Sequence, residues 1–384
     1  MKTLFQNGFV YSEAQHAFIR ADLMTENGVI TDISLSASPD EDTAVIDCEG
    51  MYILPGLVDV HTHGRAGYDF NTADADGCRA MRRSYAEAGT TTILATLASA
   101  EPASLDASIE AIQKNRVSEE GLCHIAGIHL EGRYLNPKRR GAHPEHLLAP
   151  LDPAELKMYL AKMQPAPMRI SAAFEMEGGK EFAETAVSMG AVASLAHSDA
   201  TYEQSLDAVR WGITGFTHTF NTMKPLHHRE PGNIAASLLC DTAYTELICD
   251  GEHIHPDMIR LASRVKEPNH MVLITDSMEA AGCPNGHYSI AGLHVIVKNG
   301  IAVNEEGVIA GSTLDLFTAL VNYMSFTDKT LEEALPAATV NPARMSGLEN
   351  VCGSIAVGLR ADFIMIRDKN APELESVWIA GKKI

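Results

Sequence analysis

Basic residues are scarce in this chain. Lys plus Arg number 30 against 50 Asp plus Glu, a formal net charge of −20. Such a chain has no general basic face for a nucleic-acid backbone, so nucleic acid is not an expected partner. A small anionic substrate stays admissible wherever a few positive groups cluster. The seven cysteines (Cys48, Cys78, Cys123, Cys240, Cys249, Cys283, Cys352) form no Cys-x-x-Cys pair and follow no framework spacing. They read as reduced thiols of a cytoplasmic protein rather than a disulfide scaffold. No apolar run is long enough to span a bilayer, and no basic-then-apolar leader opens the sequence, so neither a membrane nor a secreted form is expected.

What is present is a chain of 384 residues, 46% hydrophobic, long enough for a large barrel and a smaller partner. Residues 1–52 hold short β-prone runs with Asn7-Gly8 and Asn27-Gly28 as hairpin signals. The C-terminal stretch 353–384 has the same character. Together they predict a small β-sandwich domain built from both chain ends. Between them, residues 53–352 alternate. Apolar runs near 53–61, 91–98, 122–130, 168–175, 190–196, 212–217, 243–249 and 270–275 are mostly separated by stretches with helical spacing. That is the pattern of an α/β protein with a (β/α)8 TIM-like barrel. The Gly-rich stretch 278–312 reads as a hairpin-like excursion after the eighth strand.

A barrel enzyme collects its chemistry at the C-terminal ends of its strands. His61 and His63 end the first run, two apart, and so project to one side. Glu131 ends the third run, His197 the fifth, His218 the sixth, and Asp276 follows the eighth. One His near a strand end is ordinary. Recurrence at one mouth is not, and His with carboxylate suits Zn²⁺ or Fe²⁺. A bound divalent ion lowers the pKa of its water towards ~7 and supplies hydroxide to attack a carbonyl. Asp276 is the carboxylate placed to take and return the proton; a plain ligand or an N-cap is its blander reading.

The stretches LPGLVDVHTHG, GIHLEGRYLNPKRRGAHP, LAHSDA, THTFNTMKPLHHREPG, ICDGEH, LITDSMEAAG and IAGSTL resemble the amidohydrolase superfamily and, within it, the N-acetylglucosamine-6-phosphate deacetylase family. The resemblance runs nearly end to end. It implies that Glu131, His197 and His218 hold the principal metal ion and that Asp276 is the acid/base. It implies that His143 stabilises the oxyanion and that Ala142 and His143 contact substrate. Asn221, Thr222 and the backbone of Ile309-Ala310-Gly311 would contact substrate. Arg229 and His253 would hold a 6-phosphate, one of them across a homodimer interface. His63 leaves room for a second ion, through His61 and His63 with Glu131 as bridge.

The fourth run has no lysine, which argues against a carboxylated-lysine bridge. Arg133 stands where the family commonly has Pro, either as surface or as charge near the mouth. Asp315 replaces an expected small residue, with no account from sequence alone. The expected reaction is deacetylation of the phosphorylated amino sugar N-acetyl-D-glucosamine 6-phosphate. The galactosamine epimer, a ring amide or nucleobase, and a non-catalytic metal-binding role are the alternatives.

Overall fold

Eight parallel strands follow one another around a barrel: β1 (Leu57–Thr62), β2 (Thr90–Leu97), β3 (His124–Glu131), β4 (Met168–Ala172), β5 (Val192–Leu195), β6 (Gly215–Phe216), β7 (Tyr244–Ile248) and β8 (Met271–Ile274). The computed structural model describes residues 2–117 and 119–384. The ring closes at its mouth, where Thr62 bridges Ser277 just past β8. Both faces of these strands are covered. Every residue of β1, β2 and β8 is buried, which is why they read as continuous apolar runs rather than alternating ones.

The helices α1 (Ala75–Glu87), α2 (Pro102–Asn115), α3 (Pro153–Met163), α4 (Gly179–Ser188), α5 (Tyr202–Arg210), α6 (Gly232–Leu239), α7 (Pro256–Val265) and α8 (Leu316–Thr327) lie between or after the strands. Their starts are capped by side chains that satisfy the orphan N–H groups. Asp74, Asp152 and Thr201 accept from the first turns of α1, α3 and α5. Asp315 does the same for α8, accepting from Thr318 N at 2.8 Å. That supplies the account of Asp315 missing at the sequence level: a helix needs a cap there.

Both chain ends form one curled sheet. Its order runs Lys382–Lys383, Ser376–Ile379, Phe363–Ile366, Tyr52–Pro55, Lys2–Ser12, Ala17–Glu26 and Val29–Ser34, with Thr43–Asp47 also paired to the Lys2–Ser12 strand. Phe5 meets Phe363 and Trp378 edge-on at 4.9 and 4.8 Å in its own small core. The run 53–61, which reads as one strand, is two. Tyr52–Pro55 belongs to the terminal sheet and Leu57–Thr62 to the barrel. Gly56 is the joint. A Cβ there would sit 2.2 Å from Thr91 Oγ1, so no larger residue fits.

The excursion after β8 is a three-stranded antiparallel ribbon, Gly286–Ile290, Leu293–Lys298 and Ile301–Asn304. It leans over the barrel mouth. Asp69 holds its first turn by accepting from Ala291 N at 2.7 Å. Among the described residues, no helix is long and apolar enough to cross a membrane.

Candidate metal centre and active site

Glu131, the last residue of β3, is the hub of the mouth. Its two carboxylate oxygens face two different groups. Oε2 lies 3.0 Å from His63 Nε2 and 3.2 Å from His61 Nε2. Oε1 lies 2.9 Å from His218 Nε2 and 3.2 Å from His197 Nε2. Asp276 Oδ1 completes the first group, 3.2 Å from His63 Nε2 and 3.5 Å from His61 Nε2. Four imidazoles thus turn the same nitrogen towards one carboxylate, and all are buried.

A hydrogen bond behind the His197 ring fixes which of its nitrogens is free. His197 Nδ1 lies 2.9 Å from the Arg139 carbonyl. A carbonyl only accepts, so Nδ1 carries the proton and Nε2 presents a lone pair. His218 Nε2 lies 3.2 Å from His197 Nε2, too close for two N–H groups to face each other. A cation between lone pairs and carboxylate oxygens resolves this packing, and the donor set of imidazole and carboxylate suits Zn²⁺ or Fe²⁺. The residues therefore fit a divalent metal.

Three of these positions carry backbone strain. His197, His218 and Asp276 have φ of 45°, 33° and 50°, in the left-handed region that non-glycine residues seldom occupy. Such angles persist only where surroundings enforce them, and they cluster at functional sites. Each lies two residues past a strand end, where the chain must turn a side chain back over the mouth.

The electrostatics call for positive charge. Burial pulls His61 and His63 down, but Glu131 and Asp276 outweigh it and raise them to about 10 and about 9. Glu131 is held well below the usual carboxylate range against its burial, chiefly by His61 and the facing imidazoles. Asp276 is lowered to about 2 in the same way. His143 behaves oppositely: burial and the neighbouring His197 lower it to about 3, so its ring is neutral.

Below the ligands lies a wholly buried polar floor. Arg169 on β4 pairs with Glu246 on β7 and donates to the Val60 carbonyl at 3.3 Å and Thr217 Oγ1 at 3.2 Å. Glu246 Oε2 accepts from His218 N at 3.2 Å and sits 3.6 Å from His61 Nδ1. The second distance is too long for a hydrogen bond but close enough for charge to act.

A cavity of about 300 Å³ opens over the cluster. His63, Glu131, His197, His218 and Asp276 form its base; Ala142, His143, Asn221, Thr222, His253, Ile309, Ala310 and Gly311 line its walls. Ile290 and Leu293 from the ribbon add apolar surface. His253 is fixed by Asp250, 2.6 Å from its Nδ1. Arg229 is the exception. It is exposed, lies against His228 Nε2 at 2.8 Å, and does not line this cavity.

The amidohydrolase family model matches residues 52–384. The chain belongs to the amidohydrolase family. It is 32% identical to an N-acetylglucosamine-6-phosphate deacetylase of Vibrio furnissii, over 96% of this chain and 91% of that one. It is equally 32% identical to an N-acetylgalactosamine-6-phosphate deacetylase of Escherichia coli O157:H7, over 96% and 98%. Among solved structures, it is similar to an N-acetyl-D-glucosamine-6-phosphate deacetylase variant from Mycobacterium smegmatis in complex with N-acetyl-D-glucosamine-6-phosphate. That match has a TM-score of 0.89 at 29% identity, covering 100% of this chain and 98% of the other. The N-acetylglucosamine-6-phosphate deacetylase of Thermotoga maritima gives 0.86 at 30%, covering 99% of each.

Against this family background, Arg133 has a local explanation. Its φ is 60°, an angle proline cannot adopt. Its guanidinium spans Glu155, with Nη2 to Oε1 at 3.0 Å and Nε to Oε2 at 3.3 Å. It adds no charge to the cavity. Sequence reasoning missed Arg169, Glu246 and the Arg139 carbonyl. Arg169 and Glu246 were in principle readable, as charged residues inside apolar runs. The Arg139 carbonyl has no sequence signal at all.

Proposed function

We propose that this amidohydrolase removes acetate from N-acetyl-D-glucosamine 6-phosphate, giving D-glucosamine 6-phosphate. The observation that carries the reading is the Glu131-centred cluster with Asp276 and His143 at one cavity, in a chain whose similar relatives are amino-sugar 6-phosphate deacetylases.

His197, His218 and Glu131 would hold one divalent ion, Zn²⁺ or Fe²⁺; His61, His63, Asp276 and the other oxygen of Glu131 have the donors for a second. When bound, such an ion supplies an activated water and polarises the amide carbonyl. The chain's own residues do the rest. Asp276, ionised and at the cavity base, takes the proton from the attacking water and returns it to the departing nitrogen. His143 donates to the oxygen on which negative charge develops. Asn221, Thr222 and the backbone of Ile309-Ala310-Gly311 orient the sugar, and the ribbon shields the amide from bulk water.

The 6-phosphate is held by His253, whose burial-opposed but Asp250-stabilised positive charge suits an anion, together with Arg229. Because Arg229 stands outside its own cavity, the reading assigns it to the cavity of a second copy, in a cytoplasmic homodimer. The test is acetate release. Chelated protein should release none from N-acetyl-D-glucosamine 6-phosphate, and Zn²⁺ or Fe²⁺ should restore it. The galactosamine epimer is assayed alongside. Restored protein that hydrolyses a ring amide and leaves the acetyl sugar intact would sink the proposal.

A further inference from the structure

Ser99 lies just past β2, buried at 1% exposure, and has no part in the chemistry above. Its hydroxyl meets two groups. Arg133 N donates to Oγ at 2.9 Å. His143 Nδ1 lies 2.9 Å from the same oxygen. The first bond has one possible direction, because a backbone amide only donates. The hydroxyl hydrogen then needs an acceptor, and among the described residues His143 Nδ1 is the one within hydrogen-bond reach. A buried hydroxyl left without an acceptor is disfavoured.

A nitrogen that accepts carries no proton. In a neutral ring the proton must then be on the other nitrogen. We infer that Ser99 is a positioning residue that sets the tautomer of His143, placing its proton on Nε2 so that the ring enters the cavity as a hydrogen-bond donor. The opposite tautomer would turn a lone pair to the cavity. His143 would then be an extra metal ligand, near Glu131 and His197, and no help to a developing oxyanion. Ser99 decides between these two roles.

The surroundings are built to hold Ser99 in this position. Gly132 packs its backbone directly on it: a Cβ at Gly132 would lie 2.4 Å from Ser99 N and 2.6 Å from Ser99 Oγ. That close approach carries the Arg133 N–H to the hydroxyl. The left-handed turn at Arg133 is in turn clamped by Glu155. An ion pair outside the cavity thus serves a tautomer inside it.

The inference rests on the donor role proposed for His143, and the experiment separates the two. Zn²⁺-loaded protein with ¹⁵N-labelled histidine, assigned by comparison with His143→Gln, reports the tautomer directly through the nitrogen shifts. Expected is Nε2–H in the parent, and a loss of that preference in Ser99→Ala. With N-acetyl-D-glucosamine 6-phosphate, Ser99→Ala should lower kcat at least tenfold with KM within about twofold and metal content unchanged, and Ser99→Thr, which keeps the hydroxyl, should recover most of the rate. An Nδ1–H tautomer in the parent, an unimpaired Ser99→Ala, or Ser99→Ala and Ser99→Thr equally impaired would each overturn it. If His143→Gln itself turns over normally, the donor role fails first. Should Ser99→Ala not fold, the parent spectrum and Ser99→Thr still decide.

Discussion

Arg169 and Glu246 form an ion pair wholly buried inside the barrel, directly under the histidines of its mouth. A buried pair contributes little net stability, but removing one partner leaves the other's charge stranded. Glu246→Gln should therefore destabilise the protein by about 3–5 kcal/mol, measurable by denaturant unfolding of the metal-loaded protein. It should also lower metal content, because Glu246 supports His61 from below and accepts from the backbone of His218. Unchanged stability and unchanged metal content together would show that the floor is passive.

Asp276→Asn removes the proton acceptor while keeping shape. Turnover should fall by roughly 10²–10⁴, the usual worth of a positioned acid/base. Metal at the Glu131, His197 and His218 donors should persist, since these do not include Asp276. Elemental analysis beside steady-state kinetics checks both halves.

Substrate affinity should depend on pH through His253. Burial lowers its pKa, but the Asp250 carboxylate outweighs that and leaves it raised above the ordinary value. A raised pKa means the positive charge is complete at low pH and is lost as pH rises through the folded-state value. KM for the 6-phosphate substrate should accordingly increase on the alkaline side. Asp250→Asn removes the support, so the same increase should begin at lower pH. A pH profile of KM that Asp250→Asn leaves in place would count against the assignment.

Mixing two inactive variants tests the shared phosphate site. A chain with Arg229→Ala keeps Asp276, and a chain with Asp276→Asn keeps Arg229. If Arg229 serves the cavity of a second copy, refolding the two together creates one intact site per mixed dimer and activity returns. If mixing restores nothing while both chains fold and associate, Arg229 acts within its own chain or has no role.

The ligand set was legible because its members stand at the ends of five of the apolar runs, so periodicity alone gathered His61, His63, Glu131, His197, His218 and Asp276. What lies beneath and beside them was not. Ser99 sits in Leu97-Ala98-Ser99-Ala100, a stretch with no distinguishing polarity; its importance comes from a loop more than thirty residues away that folds onto it. The break at Gly56 is invisible in an unbroken apolar run, because it is enforced by Thr91 on the neighbouring strand. The cap role of Asp315 depends on where α8 begins, which a Gly-rich ribbon before it obscures. Arg229 was read from its motif as a phosphate ligand, with either it or His253 crossing a dimer interface, but motif position does not say which.

The most direct measurement is acetate released per second by Zn²⁺- or Fe²⁺-loaded protein from N-acetyl-D-glucosamine 6-phosphate, against the same sugar without phosphate. Expected is rapid release from the phosphorylated sugar, with kcat/KM at least ~100-fold lower for the unphosphorylated one, the equivalent of losing roughly 3 kcal/mol of charged contacts. Equal rates on both sugars, or no acetate from either in metal-replete protein, would contradict the reading of this cavity as an amino-sugar 6-phosphate deacetylase site.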